Sequence, residues 1–320
     1  MTNNTIKGIL GFQSIFQYVK SFIANAVSVR FLIPWTTFLS AAIWMRYQSG
    51  ISLEFWWTDY PHFFRAFFYS APFLLTCFLY AWSIGQFKKL ISIEFAALAG
   101  AICFVLWANQ YWLMYKSWWS HMPTEVYAWL SKTSYNLHVS FFFLLVPLAF
   151  YGFSSSLRKQ WSGFYGLSRK GFEYRPYLTV LVICIPFVFW ASFEPDFQKL
   201  YPRYRPGSAE LFWDISPWIT VLGYQASYAL QFIMLELFYR GFMVMSVGRF
   251  LGQGAIWPMV SVYCFLHFTK PMPEAIGAIF GGLFLGIIAY HSKSIWGGVW
   301  IHLGIAMLME IFAYLAIFVW

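Results

Sequence analysis

Residues 232–245 read FIMLELFYRGFMVM. Glu236 and Arg240 stand four apart in a run whose only other polar side chain is Tyr239, and the reading of that run decides the reading of the chain. The 320 residues are 60% hydrophobic, 24% aromatic and only 10% charged. Soluble domains carry about 25% charged residues, so this stock does not build a water-facing surface. Repeated apolar stretches of about 17–25 residues then read as membrane-crossing helices. A charge inside one of them is costly and has to be satisfied within the protein.

Nine such stretches follow from hydropathy, near 31–45, 64–84, 91–114, 137–153, 177–193, 217–239, 255–268, 275–290 and 295–319. The expected fold class is therefore all-α, a polytopic membrane bundle of about nine helices. The seventh stretch is short for a crossing and reads as a broken or re-entrant helix, which is tolerated where it is buried in protein or lines a watery cavity. The first twenty residues lack an apolar core followed by a small-residue cleavage site, and insertion is assigned to the first span. Three regions are expected: accessory helices over 1–195, a connecting loop over 196–216, and a four-helix core over 217–320.

The net charge of +9 does not form a patch with interleaved aromatics, so nucleic acid is not expected as a partner and membrane lipids are. With the N-terminus inside, twelve Lys and Arg fall on cytoplasmic segments against eight outside, and 154–176 alone holds five bases with one acid, Glu173. That bias favours a cytoplasmic N-terminus. Cys77, Cys103, Cys184 and Cys264 all sit in apolar stretches without paired spacing and read as core residues. Gly277, Gly281, Gly282 and Gly286 give two overlapping small-xxx-small spacings, read as close packing of neighbouring helices within the chain rather than as a dimer seam.

Of twelve acids, Glu94, Glu236 and Glu310 alone fall well inside apolar spans; of the bases, Arg240 alone; of six histidines, His267 and His302 lie deepest. Glu236 and Arg240, at i and i+4, share one helix face. The guanidinium stays charged and would hold the carboxylate ionised and oriented. An ion pair that merely neutralises two buried charges is the competing reading. His267 and His302 tip the balance, because one carboxylate with two imidazoles is a set able to activate water and stabilise an oxyanion. Zinc is a weaker alternative, since the histidines lack a short ligand spacing and an arginine competes for the glutamate. No other cofactor is indicated. Glu310 reads as a hydrogen-bonded packing residue, and Glu94 has no polar neighbour on its helix face. A transporter would want an internal repeat between the halves, and none is visible.

In order, ELFYRG (236–241), VYCFLH (262–267) and GLFLGIIAYHSKSIWGGVWIH (282–302) resemble the family of CAAX proteases and bacteriocin-processing proteins, CPBP, which includes the type II CAAX prenyl proteases. Its three motifs are Glu-Glu-x-x-x-Arg, Phe-x-x-x-His and His-x-x-x-Asn, and the resemblance spans roughly 217–310. It implies an intramembrane glutamic endopeptidase with Glu236, Arg240, His267 and His302 around one cavity. Glu236 is then the base on water, Arg240 fixes it, His267 shares the water or protonates the leaving amine, and His302 faces the oxyanion. The implied substrate is a hydrophobic or lipidated C-terminal segment, or a membrane-embedded one, arriving laterally through the bilayer. Three positions depart from the pattern. Leu235 stands where the family has its first glutamate, Tyr263 replaces the aromatic of the second motif, and Ala306 replaces the asparagine of the third. The change at Tyr263 is mild, whereas Leu235 and Ala306 favour an alternative: a non-catalytic protein of the same fold with a binding, immunity or scaffold role.

Overall fold

A computed structural model describes residues 3–49, 61–111, 115–153, 163–169 and 172–319. Among these the chain is helical throughout, without strands. Each apolar stretch of the sequence falls on a helix: α2 (Val29–Tyr47), α3 (Pro61–Ser83), α4 (Ile93–Tyr111), α6 (Thr124–Phe153), α7 (Arg175–Ala191), α10 (Pro217–Glu236), α12 (Ile256–Leu266), α13 (Met272–Ser292) and α14 (Trp296–Phe318). A further helix, α1 (Asn3–Ala26), precedes them and meets α2 at 99°. Short helices complete the order: α5 (Tyr115–Trp119), α8 (Pro195–Leu200), α9 (Ser208–Trp213) and α11 (Val244–Leu251).

By length and apolarity five stretches among the described residues suffice to cross a membrane, six if the bent α1–α2 pair counts as one. The difference between nine and six has two causes. Pro217–Thr269 counts as one stretch of 53 residues, although Gly252, at φ +58, turns the chain back between α11 and α12. The apolar parts of α4 and α7, Ile93–Asn109 and Arg175–Ala191, are also shorter than a full crossing.

The short seventh helix proves central. The eleven residues of α12 rise about 16 Å, roughly half a bilayer core, and all but Leu266 are buried. Neighbours satisfy the polar groups of this helix. Trp35 Nε1 and Thr76 Oγ1 both donate to Ser261 Oγ, at 2.9 and 2.8 Å, and Trp257 Nε1 donates to the Ala26 carbonyl at 2.9 Å. Residues before and after 196 thus share one core. The glycine stripe of α13 packs only in part. A Cβ on Gly286 would strike Met259 and Ile256 of α12, whereas nothing lies near Gly277 or Gly281. All four cysteines are free.

Helix direction sorts the bases onto two ends of the bundle. Arg46, Lys132, Arg203 and Lys270 lie where α2 and α12 end, and Arg30, Lys88, Arg249 and Lys293 lie at the other. At that second end Arg249 pairs with Glu94, 3.3 Å away. Glu94 is thus in the first turn of α4 with a cationic partner, not isolated within a span.

Candidate active site

Immediately after Glu236 the α10 helix widens into a π-turn over Leu237–Met243, which contains Arg240. Such turns recur at functional sites, where one extra residue re-aims a side chain. Here the result is a fully enclosed pair: Glu236 and Arg240 are both 0% exposed. Arg240 Nη1 lies 3.0 Å from Glu236 Oε1, an ion-pair contact without hydrogen-bond geometry. The guanidinium carbon stands 4.5 Å from the centre of the Tyr263 ring, a cation–π contact made stronger by the absence of water.

The same Glu236 oxygen meets His302, whose Nδ1 is 2.8 Å away. A carboxylate beside a guanidinium only accepts, so His302 carries its proton on Nδ1 and presents Nε2 as the acceptor. Tyr263 fills that acceptor, its hydroxyl donating to Nε2 at 2.9 Å. The second carboxylate oxygen, Oε2, has no protein donor and abuts Gly298, where any Cβ would collide with it. Glycine at 298, in the first turn of α14, is what lets the carboxylate sit there.

His267 ends α12 in a short 3₁₀ turn, His267–Thr269. Its Nδ1 donates to the Tyr263 carbonyl at 2.8 Å and its ring lies 4.8 Å from the Tyr263 ring. A carbonyl cannot donate, so Nε2 of His267 is again the acceptor.

A cavity of about 680 Å³ opens beside these groups, lined by His267, His302, Tyr263 and Leu235 among others. Glu236 and Arg240 do not line it. The four residues expected around one cavity therefore split: two histidines face it, and the ion pair stands behind His302. Glu236, expected to act on water in the cavity, does not border it: Oε1 faces Arg240 and His302, and Oε2 abuts Gly298. Leu235, the departure from the first motif, lines the cavity wall. Ala306 is buried among Tyr204, Tyr224 and Tyr228. Tyr263, which looked a mild change in sequence, joins both histidines. Its signal was legible as a hydroxyl four residues before His267, on the same helix face. Among the described residues no three His, Cys, Asp or Glu side chains group as a metal-binding set.

The segment 195–213 borders the cavity, to which it contributes Lys199, Leu200, Pro202, Arg203 and Arg205. Glu310, 4% exposed, accepts from the Arg203 backbone N–H and from Gln225 Nε2, both at 2.9 Å. It is a hydrogen-bonded anchor for the bordering segment. Glu210 accepts from Tyr204 at 2.5 Å, from the Gly207 N–H at 2.6 Å and from Thr220.

Fold and site together define a polytopic α-helical membrane protein with a histidine-bearing cavity inside its bundle. Residues 217–308, 92 of the 320, match the family model described as type II CAAX prenyl endopeptidase Rce1-like, so this stretch of the chain is similar to that family. No curated protein and no solved structure matches the chain.

Proposed function

We propose that the protein is an intramembrane endopeptidase in which His267, rather than Glu236, is the base. The observation that carries this reading is the fixed tautomer of His267: Nδ1–H is committed to the Tyr263 carbonyl, so Nε2 is an open acceptor on a residue lining the cavity. Water gives its proton to Nε2 as its oxygen attacks the scissile carbonyl, and the imidazolium returns that proton to the leaving amine. The Tyr263 hydroxyl is the donor at hand for the developing oxyanion, exchanging its bond to His302 for one to substrate. Glu236 and Arg240 are positioning residues, fixing the His302 ring and its tautomer. The substrate is a hydrophobic or lipidated C-terminal segment. Comparing membranes from cells expressing wild type or His267→Ala, by proteomics of C-terminal peptides, tests the reading. Shortened C-termini are expected with wild type alone; equal processing by both overturns it.

Two replacements favour a second reading, a binding protein without turnover. Leu235 puts an apolar wall where the family has a carboxylate, and Ala306 removes an amide. Binding of hydrophobic C-termini without any processing supports this one.

A further inference from the structure

The cavity's charge is one-sided. Lys132, Lys199, Arg203, Arg205 and Lys270 line it, with no Asp or Glu among its lining residues. Lys199 and Lys270 are each paired, with Asp196 at 2.7 Å and Glu274 at 3.0 Å. The charged groups of the other three touch only neutral partners: Lys132 Nζ donates to the Arg203 carbonyl at 2.5 Å, Arg205 to the carbonyls of Gln198 and Tyr201, and Arg203 lies over the Tyr201 ring, while the acid nearby, Glu310, accepts from the Arg203 backbone N–H and acts on the Arg203 and Lys132 charges from farther off. None has a carboxylate within ion-pairing distance among the described residues. Arg203 is half-buried, whereas Lys132 and Arg205 are exposed. Three like charges held together repel one another, and a bound anion offsets that repulsion. Lys132, Arg203 and Arg205 all lie outside residues 217–308, so the cluster is a feature of this chain's own bordering segment and α6.

We propose that this cluster is a clamp for the free C-terminal carboxylate of a peptide, with the preceding residues lying toward His267 and His302. The direction of the peptide rests on the endopeptidase reading; the anion site rests on the charge distribution. Two guanidinium forks suit a carboxylate, which accepts two parallel N–H bonds. Tyr224, Tyr228, Phe232 and Leu235 share the lining, so what joins the anion is apolar. The volume of about 680 Å³ is that of a small-ligand site, which admits a chain end rather than a folded domain.

The test uses the full chain in neutral detergent and a pool of dansyl-tagged apolar heptapeptides, made once with a free carboxylate and once as the carboxamide. Fluorescence polarisation is expected to show the acid pool binding roughly tenfold tighter or more, the worth of a charge-assisted pair. Arg203→Gln combined with Arg205→Gln should bring the acid pool to the amide's affinity and leave the amide pool unchanged. Equal affinities, no binding of either pool, or a preference that survives the double substitution overturns the clamp. In that last case, loss of phosphatidylglycerol-induced thermal stabilisation in the variant would assign the cluster to a lipid headgroup instead. Hydrolysis is read separately by mass spectrometry on the same peptides: acid preference without cleavage keeps the clamp and removes the peptidase reading.

Discussion

His302 Nδ1 lies 2.8 Å from the Glu236 oxygen that Arg240 Nη1 also approaches to 3.0 Å. One carboxylate oxygen thus serves two partners, and the cavity meets the imidazole, not the acid.

Glu236→Gln should therefore cost stability before it costs chemistry. An amide leaves the guanidinium of Arg240 uncompensated at 0% exposure. Breaking such a pair from one side costs roughly 3–5 kcal/mol, whereas replacing both partners by packed neutral groups costs much less. Thermal unfolding in detergent should show a large fall for Glu236→Gln and partial recovery in the double variant with Arg240→Met. Recovery of stability without recovery of activity is the expected pattern, since His302 Nδ1–H would face a neutral amide oxygen, a weaker acceptor than the carboxylate. A double variant as unstable as the single one would contradict the pairing.

Tyr263→Phe isolates one hydroxyl. The ring that packs on Arg240 and His267 stays, and only the bond to His302 Nε2 is lost. If the hydroxyl stabilises the oxyanion, kcat should fall about 10²-fold while peptide affinity and melting temperature hold. A variant with unchanged kcat would leave Tyr263 a packing residue.

How much of this was readable beforehand differs by residue. Apolar stretches located the helices because crossing a bilayer imposes a composition, and the brevity of 255–268 already marked α12 as unusual. Spacing joined Glu236 to Arg240 correctly. It did not show that neither of them faces the cavity, because the π-turn that follows Glu236 leaves no trace in an apolar pattern. The bordering segment was legible only as a polar loop. Its anchors, Glu310 to the Arg203 N–H and Lys132 to the Arg203 carbonyl, join residues 107 and 71 positions apart, a separation no local pattern encodes.

Acid should loosen that segment. Glu210 is buried, which by itself raises a carboxyl's pKa, but donors from Thr220, Tyr204 and the Gly207 N–H outweigh burial and hold it below the usual range. A depressed folded value means the stabilisation is present above the ordinary glutamate pKa of about 4.3 and is lost as pH falls through the lower folded one. Melting temperature should drop in that acid window for wild type, and Glu210→Gln should flatten the dependence. An identical acid limb in the variant would assign the loss to other carboxyls.

The charge bias predicts an orientation with the cavity end facing outward. Ser208 and Lys88, both exposed, mark the cavity end and the opposite one. In a cysteine-free background, Ser208→Cys should react with an impermeant maleimide in intact cells, and Lys88→Cys only after permeabilisation. The reverse pattern would turn the cavity toward the cytoplasm, the side on which a cytoplasmic lipidated C-terminus would reach it.

Leu235→Glu is the sharpest test of whether the cavity hydrolyses anything. Leu235 and His267 both line the cavity, so a carboxylate at 235 would enter it directly, unlike Glu236, which stands behind His302. Two outcomes separate the readings. If wild type already cleaves the apolar peptides, His267 suffices as the base, and the added glutamate should change the rate only modestly, since one base per water is enough. If wild type binds but does not cleave and Leu235→Glu does, the missing glutamate is the missing base and the natural protein is a binder on a peptidase framework. Pairing the change with Ala306→Asn should then raise turnover further, because an amide at 306 could add a donor to the oxyanion. The control is His267→Ala in the Leu235→Glu background. Loss of the acquired activity there would place base and imidazole on the same water, and its persistence would leave His267 with no catalytic role.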